Sequence, residues 1–349
     1  MVTVVTGGAG YVGTNLVAAL RAQDHQVRVA DSREPVTALR LGATWVPGDV
    51  RDSGYMRRVC DGAEVIYHLA AVVSVTGGMG GHVASVNVGG TRVVAQAALS
   101  AHVRRLIHCS SVHAYDLAAV AGQAINESSP RAIGRYLPAY DRSKAAGEVE
   151  VYRAMDRGLS AVVVNPTGVI GALDEAPSRV GAVMLALWRR RLPAMVAGGF
   201  DWVDVRDVVA GMLAAAEHGR TGQNYLLPGH RRSIWELGCL AEGCSDIAVT
   251  RRTAPSWLAS LAAPVGTIIT RATGNPLLPT RDGMRALRAF PHVDGTKAAR
   301  ELGHQPRPIE QTVADLYAFF RHSGTLAAGQ APTTAATGIQ MLGLQGEPE

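Results

Sequence analysis

Over the first 165 residues the apolar positions come as short runs separated by amphipathic stretches. Val2, Thr3, Val4, Val5 and Thr6 form a β-branched run that ends in a glycine cluster, the pattern of a buried parallel strand feeding a turn. From residue 11 to 23 the spacing becomes helical, with Leu16, Val17 and Leu20 on one side. Residues 26–30 then read as a second strand, closed by Asp31. Strand-like runs recur at 64–69, 103–109 and 161–165, and helical stretches lie between them near 83–100 and 140–155. This alternation predicts a parallel, doubly wound sheet, because parallel neighbours need crossover connections.

After Pro166 the alternation loosens, and helical stretches such as 180–190 and 205–218 predominate. The expected class is α/β. Residues 1–165 form a Rossmann-type doubly wound parallel sheet, and 166–322 a smaller, mostly helical substrate-binding part that returns some elements to the sheet. Residues 323–349 are rich in Gly, Ala, Thr and Pro without periodicity, and are expected to be disordered. One further apolar stripe comprises Trp257, Leu258, Leu261, Val265, Ile268 and Ile269, interrupted by Pro264. It is expected to be ordinary core, the alternatives being a lid over a lipophilic pocket or a peripheral membrane contact.

Composition narrows the class. Of 349 residues 47% are apolar and 18% charged, the balance of a globular chain. The net charge is +5, but its arginine clusters (104–105, 189–191, 231–232 and 251–252) lie far apart in sequence without interleaved aromatics, so no nucleic-acid groove is expected. Cys60, Cys109, Cys239 and Cys244 show no metal spacing and no disulfide framework. Reduced thiols, a cytoplasmic location and no metal are the expectations. A first strand starting at Val2 is expected to leave no room for a signal peptide. No run of about 18 apolar residues predicts a transmembrane segment.

The chemistry begins in the first turn. Gly7-Gly8-Ala9-Gly10-Tyr11-Val12-Gly13 satisfies both Gly-x-Gly-x-x-Gly and Gly-x-x-Gly-x-x-Gly between a strand and a helix. Gly7, Gly10 and Gly13 let the backbone turn sharply and approach a pyrophosphate, which meets free N–H groups at the helix start near Tyr11 and Val12. Asp31, 18 positions after Gly13, is placed to accept hydrogen bonds from the adenosine ribose hydroxyls. That favours NAD as cofactor. Arg33, two residues on, offers a partner to a 2′-phosphate and keeps NADP as the alternative. Further along, Tyr140 and Lys144 stand four residues apart, which puts phenol and ammonium on one helix face. A phenol titrates near pH 10, and acid–base work near pH 7 needs it lowered by about three units. The Lys144 cation and an oxidised nicotinamide ring are the candidates for that lowering.

With these motifs the sequence resembles the extended short-chain dehydrogenase/reductases, from residue 2 to about residue 320. Gly48-Asp49-Val50 looks like that family's adenine-contacting turn, so Asp49 and Val50 join the cofactor set. Leu69, Ala70 and Ala71 in His68-Leu69-Ala70-Ala71 look like the strand end that passes the cofactor, and Asn87 begins a segment resembling Asn-Val-x-Gly-Thr. By resemblance Ser111 is the catalytic serine, and Pro166 and Thr167 pack against the nicotinamide carboxamide. The implied reaction is hydride transfer between a substrate carbinol carbon and the nicotinamide. Tyr140 moves the proton, Ser111 orients the oxygen, and Lys144 lowers the tyrosine pKa and holds the nicotinamide ribose. His113 and Tyr115, just after the serine, are candidate substrate contacts.

Sugar-nucleotide members typically carry an arginine before the strand that here reads Phe200-Asp201-Trp202-Val203-Asp204; Gly198, Gly199 and an acid stand there instead. Asp204-Val205-Arg206-Asp207-Val208 and the segment from Asp294 to Gly303 rather resemble the dihydroflavonol reductase and 3-beta-hydroxysteroid dehydrogenase branch. Asp207 and Lys297 are expected to hold the fold through ion pairs. The resemblance thus implies a small-molecule enzyme acting on a bulky secondary alcohol or ketone, a homodimer, and as alternative an epimerase or dehydratase with retained NAD.

Overall fold

The computed structural model describes residues 2–119, 123–245 and 247–326. Strand β1 (Val2–Thr6) runs into the glycine turn, α1 (Tyr11–Ala22) leads back, and β2 (Gln26–Asp31) lies parallel to β1 with Thr3 opposite Val27. Helix α2 (Val36–Arg40), β3 (Thr44–Pro47) and α3 (Ser53–Cys60) complete this edge, Asp52 capping α3 by accepting from the N–H groups of Gly54 and Tyr55. Strand β4 (Val65–His68) then crosses to the other side of β1. A short α4 (His82–Ala84), a π-helical turn (Ser85–Gly90) and α5 (Thr91–Ser100) follow. Strand β5 (Arg105–Cys109), α6 (Ala139–Met155) and β6 (Ala161–Pro166) continue the winding.

Beyond Pro166 come β7 (Gly168–Ile170), α7 (Arg179–Trp188), β8 (Met195–Val196), β9 (Gly199–Asp204) and α8 (Val205–Glu217). They are followed by β10 (Asn224–Leu227), β11 (His230–Ser233), α9 (Ile234–Gly243) and β12 (Thr253–Ala254). The described chain closes with α10 (Ser256–Thr273), α11 (Arg281–Ala289), α12 (Thr296–Leu302) and α13 (Ile309–His322).

The main sheet has seven strands, all parallel, in the order β10-β6-β5-β4-β1-β2-β3. This is the expected doubly wound Rossmann sheet. Its chain direction reverses between β1 and β4, where a crevice opens at the carboxyl ends of the strands. Strand alternation sorts the two faces. Val5, Val29, Tyr67, Ile107 and Val164 pack against α1 and α8, while Val4, Ile66, Leu106 and Val163 pack against α3 and α5. One step nearer the carboxyl ends the second face turns polar, through Thr6, His68, His108 and Asn165, all buried.

The region after Pro166 is richer in strands than its loosened pattern suggests. β10 joins the main sheet beside β6, and β11-β9-β7 make a three-stranded sheet of their own. These strands are two to six residues long, too short to show periodicity. A separate core around Trp188, Phe200, Trp202, Leu316 and Phe320 holds this part together.

The expectation that the 257–269 stripe is core is overturned. Trp257 is 61% exposed, Leu261 69%, Val265 60% and Ile268 66%, with Leu258 and Ile269 also exposed. The face of α10 that packs inward carries Ala259, Ala263, Gly266 and Thr270. Periodicity shows that a helix has two faces; here the small residues are the inner one. A Cβ on Gly266 would fall on the Pro279 carbonyl oxygen, so backbone seats directly on backbone.

Asp207 pairs with Arg307 at 2.8 Å, the expected fold-holding role. Lys297 instead donates to the Gln223 side-chain oxygen and the Asn224 carbonyl; Glu127 and Glu301 act on it electrostatically, but among the described residues it forms no ion pair. Of the expected disordered tail, residues 327–349 lie outside the described residues; Leu326, just before them, is buried. Among the described residues no helix is long and apolar enough to cross a membrane.

Candidate functional site

The glycine turn closes on itself. Gly7 has φ +74°, and a Cβ there would lie 2.7 Å from the Ala70 nitrogen, so only glycine fits where β1 turns beside the end of β4. A Cβ on Gly13 would fall on the Gly7 carbonyl oxygen, which brings α1 directly against the turn. Gly10, at the N-cap, has no side chain to cap the helix. The first-turn N–H groups of Tyr11, Val12 and Gly13 thus lack intrahelical acceptors and side-chain caps. That is the cradle a pyrophosphate fits.

Asp31 ends β2 beside this turn. Its carboxylate accepts the Ala9 N–H at 3.0 Å and the Arg33 N–H at 2.9 Å, and the Arg33 guanidinium reaches back to the Ala9 carbonyl at 3.4 Å. Asp49 follows β3, the neighbouring strand, and is paired with Arg51 at 2.6 Å; the Arg51 hydrogen bond holds its carboxyl below the usual range. Val50 is buried against Gly90. Leu69 and Ala70 are tied to Thr6, the former by its N–H to the Thr6 carbonyl, the latter by its N–H to the Thr6 hydroxyl, and Ala71 follows half-buried. The Tyr11 hydroxyl is buried without a partner, and burial together with Asp174 and Asp204 pushes it well up.

The second cluster lies at the start of α6. Tyr140 is half-buried in the first turn and Lys144 buried in the second. The Lys144 ammonium donates to the Cys109 carbonyl at 3.1 Å, at the end of β5, and burial lowers its pKa. Ser111 follows the same strand. Its hydroxyl accepts the His113 N–H at 3.2 Å and lies near the Tyr140 phenol. Burial raises the Tyr140 phenol and the Ser111 hydroxyl opposes the rise, so burial outweighs what the protein groups alone do to lower it. A hydroxyl, a phenol and an ammonium converging at the strand ends suit proton transfer to and from a substrate oxygen.

The two candidate substrate contacts part company. His113 sits at the site: its ring meets Tyr140 edge-on with centroids 5.6 Å apart, stacks on Phe200, and places Nδ1 3.1 Å from Asp141. Tyr115 is fully buried in the core beneath the Arg131 guanidinium, its hydroxyl unpartnered. Asn87, in the π-helical turn, accepts the Val72 N–H and donates to the Val72 carbonyl and the Ser143 hydroxyl, which ties the 72 loop to α6. Pro166 ends β6, and Thr167 donates to Asp201 at 2.7 Å.

A supporting network escaped the sequence reading. Glu148, one turn beyond Lys144, is buried and accepts from Asn165 at 2.6 Å, Asn224 at 3.0 Å and Arg131 at 2.7 Å. Asn165 also donates to the Ser111 carbonyl, so Ser111 and α6 are held by one side chain. Beneath them His68 bridges the hydroxyls of Thr6 and Thr91 and stacks on His108 at 5.2 Å. Burial brings His68 down to about 3 and His108 well below its ordinary value, leaving both neutral. The one available signal was the series Tyr140, Lys144, Glu148 at four-residue intervals. It places an acid on the face of α6 that meets the sheet.

Ahead of α6 opens a cleft of about 730 Å³, lined by Tyr136, Pro138, Ser260, Ala263 and Met284 among others. A smaller pocket beside it takes in Asp141, Leu137 and Asp282.

Comparison with known proteins agrees with this geometry. Residues 3–227 match the family described as NAD dependent epimerase/dehydratase. Sterol demethylase protein B of Methylococcus capsulatus is 35% identical over 333 residues, 93% of this chain and all of that protein. A 4-hydroxy-2-methyl-3-oxo-4-farnesyl-3,4-dihydroquinoline-1-oxide ketoreductase of Stigmatella aurantiaca is 30% identical over 363 residues, 96% of this chain and all of that one. Among solved structures, that of gox2253 superposes with a TM-score of 0.79 at 28% identity, covering 93% of this chain and 99% of its own.

Proposed function

The chain belongs to the NAD dependent epimerase/dehydratase family and is an NAD-linked oxidoreductase of the extended short-chain type; from that premise we propose that it interconverts a bulky, lipophilic secondary alcohol and its ketone, of hydroxysteroid or dihydroflavonol kind. The observation that carries this reading is the convergence of Ser111, Tyr140 and Lys144 at the carboxyl end of β5, with Lys144 pinned to the Cys109 carbonyl and Ser111 near enough to Tyr140 to draw its phenol down. NAD, when bound, supplies the hydride acceptor or donor and, oxidised, a positive ring beside the phenol.

The chain's own residues do the rest. Tyr140 passes its hydroxyl proton to the substrate oxygen in reduction and takes it back in oxidation. Ser111 donates a hydrogen bond to that oxygen and fixes its distance from Tyr140. The Lys144 ammonium favours the phenolate that burial opposes, and holds the nicotinamide ribose. Asn87, Pro166 and Thr167 keep the surrounding backbone in place. The cofactor is proposed to be NAD over NADP, because a carboxylate at the end of β2 suits ribose hydroxyls and repels a 2′-phosphate. His113, edge-on to Tyr140 and anchored by Asp141, is proposed to contact the substrate.

Two features support a ketone or alcohol over a sugar nucleotide. The relatives' printed names include a ketoreductase acting on a farnesylated ring. At the start of β9, Gly198 and Gly199 stand where the diphosphate-binding arginine is expected, and Asp201 is taken up by Thr167 and the Gly229 N–H. The test is absorbance of NADH and NADPH with hydroxysteroids, flavonoid ketones and aryl ketones, on wild type and Tyr140→Phe. Turnover lost in the variant with cofactor binding kept is the expected result. Tight binding of a UDP- or dTDP-sugar without net cofactor turnover overturns it in favour of the epimerase or dehydratase reading.

A further inference from the structure

α10 presents an outward apolar stripe. Trp257, Leu261, Val265 and Ile268 recur at helical spacing and are each at least 60% exposed. Single exposed apolar residues are ordinary, but a contiguous stripe on one helix marks a surface that meets something.

Charge identifies what it meets. Between residues 251 and 290 the chain carries six arginines, Arg251, Arg252, Arg271, Arg281, Arg285 and Arg288, against a single acid, Asp282. That net charge of +5 equals the net charge of the whole chain, so the remainder is balanced. The excess positive charge of the molecule flanks its exposed apolar helix. Among the described residues Arg251 is ion-paired with Glu242, and Arg271 and Arg285 share the single acid Asp282. A second copy docked through this face about a twofold axis would set arginines against arginines. An anionic bilayer surface complements both features at once, taking the large side chains below its headgroups and the guanidinium groups among its phosphates.

Position gives the contact a use. Ser260 and Ala263 of the same helix line the cleft ahead of α6, together with Arg281, Arg285 and Arg288. At the other end of α10 the Arg271 guanidinium donates to the Thr76 carbonyl at 2.6 Å, joining the helix to the loop that carries exposed Val73 and Met79. We propose that α10 and its arginines form a docking surface for anionic lipid bilayers at the rim of the cleft ahead of α6, so that a lipophilic substrate passes between membrane and protein at the end of the molecule where α6 begins. The docking stands on the surface itself; the delivery of substrate rests on the reaction proposed above.

The experiment is flotation of the full chain with vesicles of phosphatidylcholine alone or with one third phosphatidylglycerol. Wild type, Leu261→Ser/Ile268→Ser and Arg281→Glu/Arg288→Glu are compared in low and high salt. Binding to the anionic vesicles is expected to exceed that to neutral ones about tenfold or more, to fall by a similar factor in either variant, and to weaken with salt. Turnover of a water-soluble ketone stays unchanged in Leu261→Ser/Ile268→Ser. Equal vesicle binding by wild type and the serine variant, or none by wild type, overturns the proposal. So does a wild-type dimer that the serine variant dissolves in sedimentation, because a second copy then occupies the face. Vesicle binding without turnover of any alcohol or ketone retains the docking and discards the reaction, while turnover without vesicle binding does the reverse.

Discussion

The glycine turn after β1 and the inner face of α10 both bring backbone onto backbone through residues that lack side chains. Gly13 seats α1 on the Gly7 carbonyl, and Gly266 seats α10 on the Pro279 carbonyl. The outcomes are opposite. At the turn the close approach leaves a helix N-terminus open toward a ligand, inside a crevice with the sheet behind it. At α10 the small residues take up the whole inner face, and every large apolar residue is left outside. Small residues therefore tell where backbones meet, and what lies on the other side of the helix decides whether the result is a site or a surface.

The hardest test of that contrast removes the chemistry and leaves both contacts. Tyr140→Phe is expected to lower turnover about 10²–10⁴-fold, with NAD affinity and melting temperature kept; stopped-flow hydride transfer and calorimetry check it. Glu148→Ala attacks the frame behind the site instead. Removing one partner of a buried ion pair costs about 3 kcal/mol, the low end of the usual range because Arg131 is partly exposed. Denaturant melts measure that loss, and Glu148→Gln should recover part of it.

Gly13→Ala and Gly266→Ala then compare the two contacts directly. Each forces a Cβ into a carbonyl oxygen and should cost about 1–3 kcal/mol of stability, but only Gly13→Ala should also weaken NAD binding in titration calorimetry. Equal effects on NAD would erase the distinction between site and surface.

Acid should act on the sheet side. His68 titrates near 3 folded and 6.5 unfolded, so the unfolded chain gains the proton first as pH falls. Stability is full above pH 6.5 and drains toward pH 3, by about 2 kcal/mol between pH 7 and 5 for this group. Thermal melts of wild type should fall more steeply over that window than those of His68→Gln. Smallest of all, Leu261→Ser should change stability by less than about 0.5 kcal/mol, as an exposed position does. A drop of about 2 kcal/mol or more in a urea melt would return the stripe to the core.

What the sequence made legible follows the same division. The glycine turn, Asp31 and the Tyr140–Lys144 pair are local patterns in which spacing along the chain is also spacing in space. The parallel, doubly wound sheet followed from the alternation of strands and helices, though not the order of its strands. Glu148, Arg131, Asn165 and Asn224 come together from α6, a loop, β6 and β10, up to 93 positions apart in the chain, and no local pattern announces that meeting. Tyr115 shows the reverse error: closeness in sequence to Ser111 suggested the site, but the extended backbone after the short turn at Val112–Ala114 carries it into the core. The α10 stripe was misassigned because a hydrophobic period identifies a face without saying which way it looks.

Asp31 bears on anyone wishing to retool this enzyme's coenzyme preference. The usual exchange, a neutral residue for the acid so that a 2′-phosphate can enter, assumes that the acid has no other duty. Here its two oxygens clasp the Ala9 and Arg33 N–H groups and so brace the glycine turn against the end of β2. Redesign at this position has to re-supply those two acceptors, and asparagine or serine brings only one oxygen to the task. A successful switch is expected to need a compensating change in the turn itself.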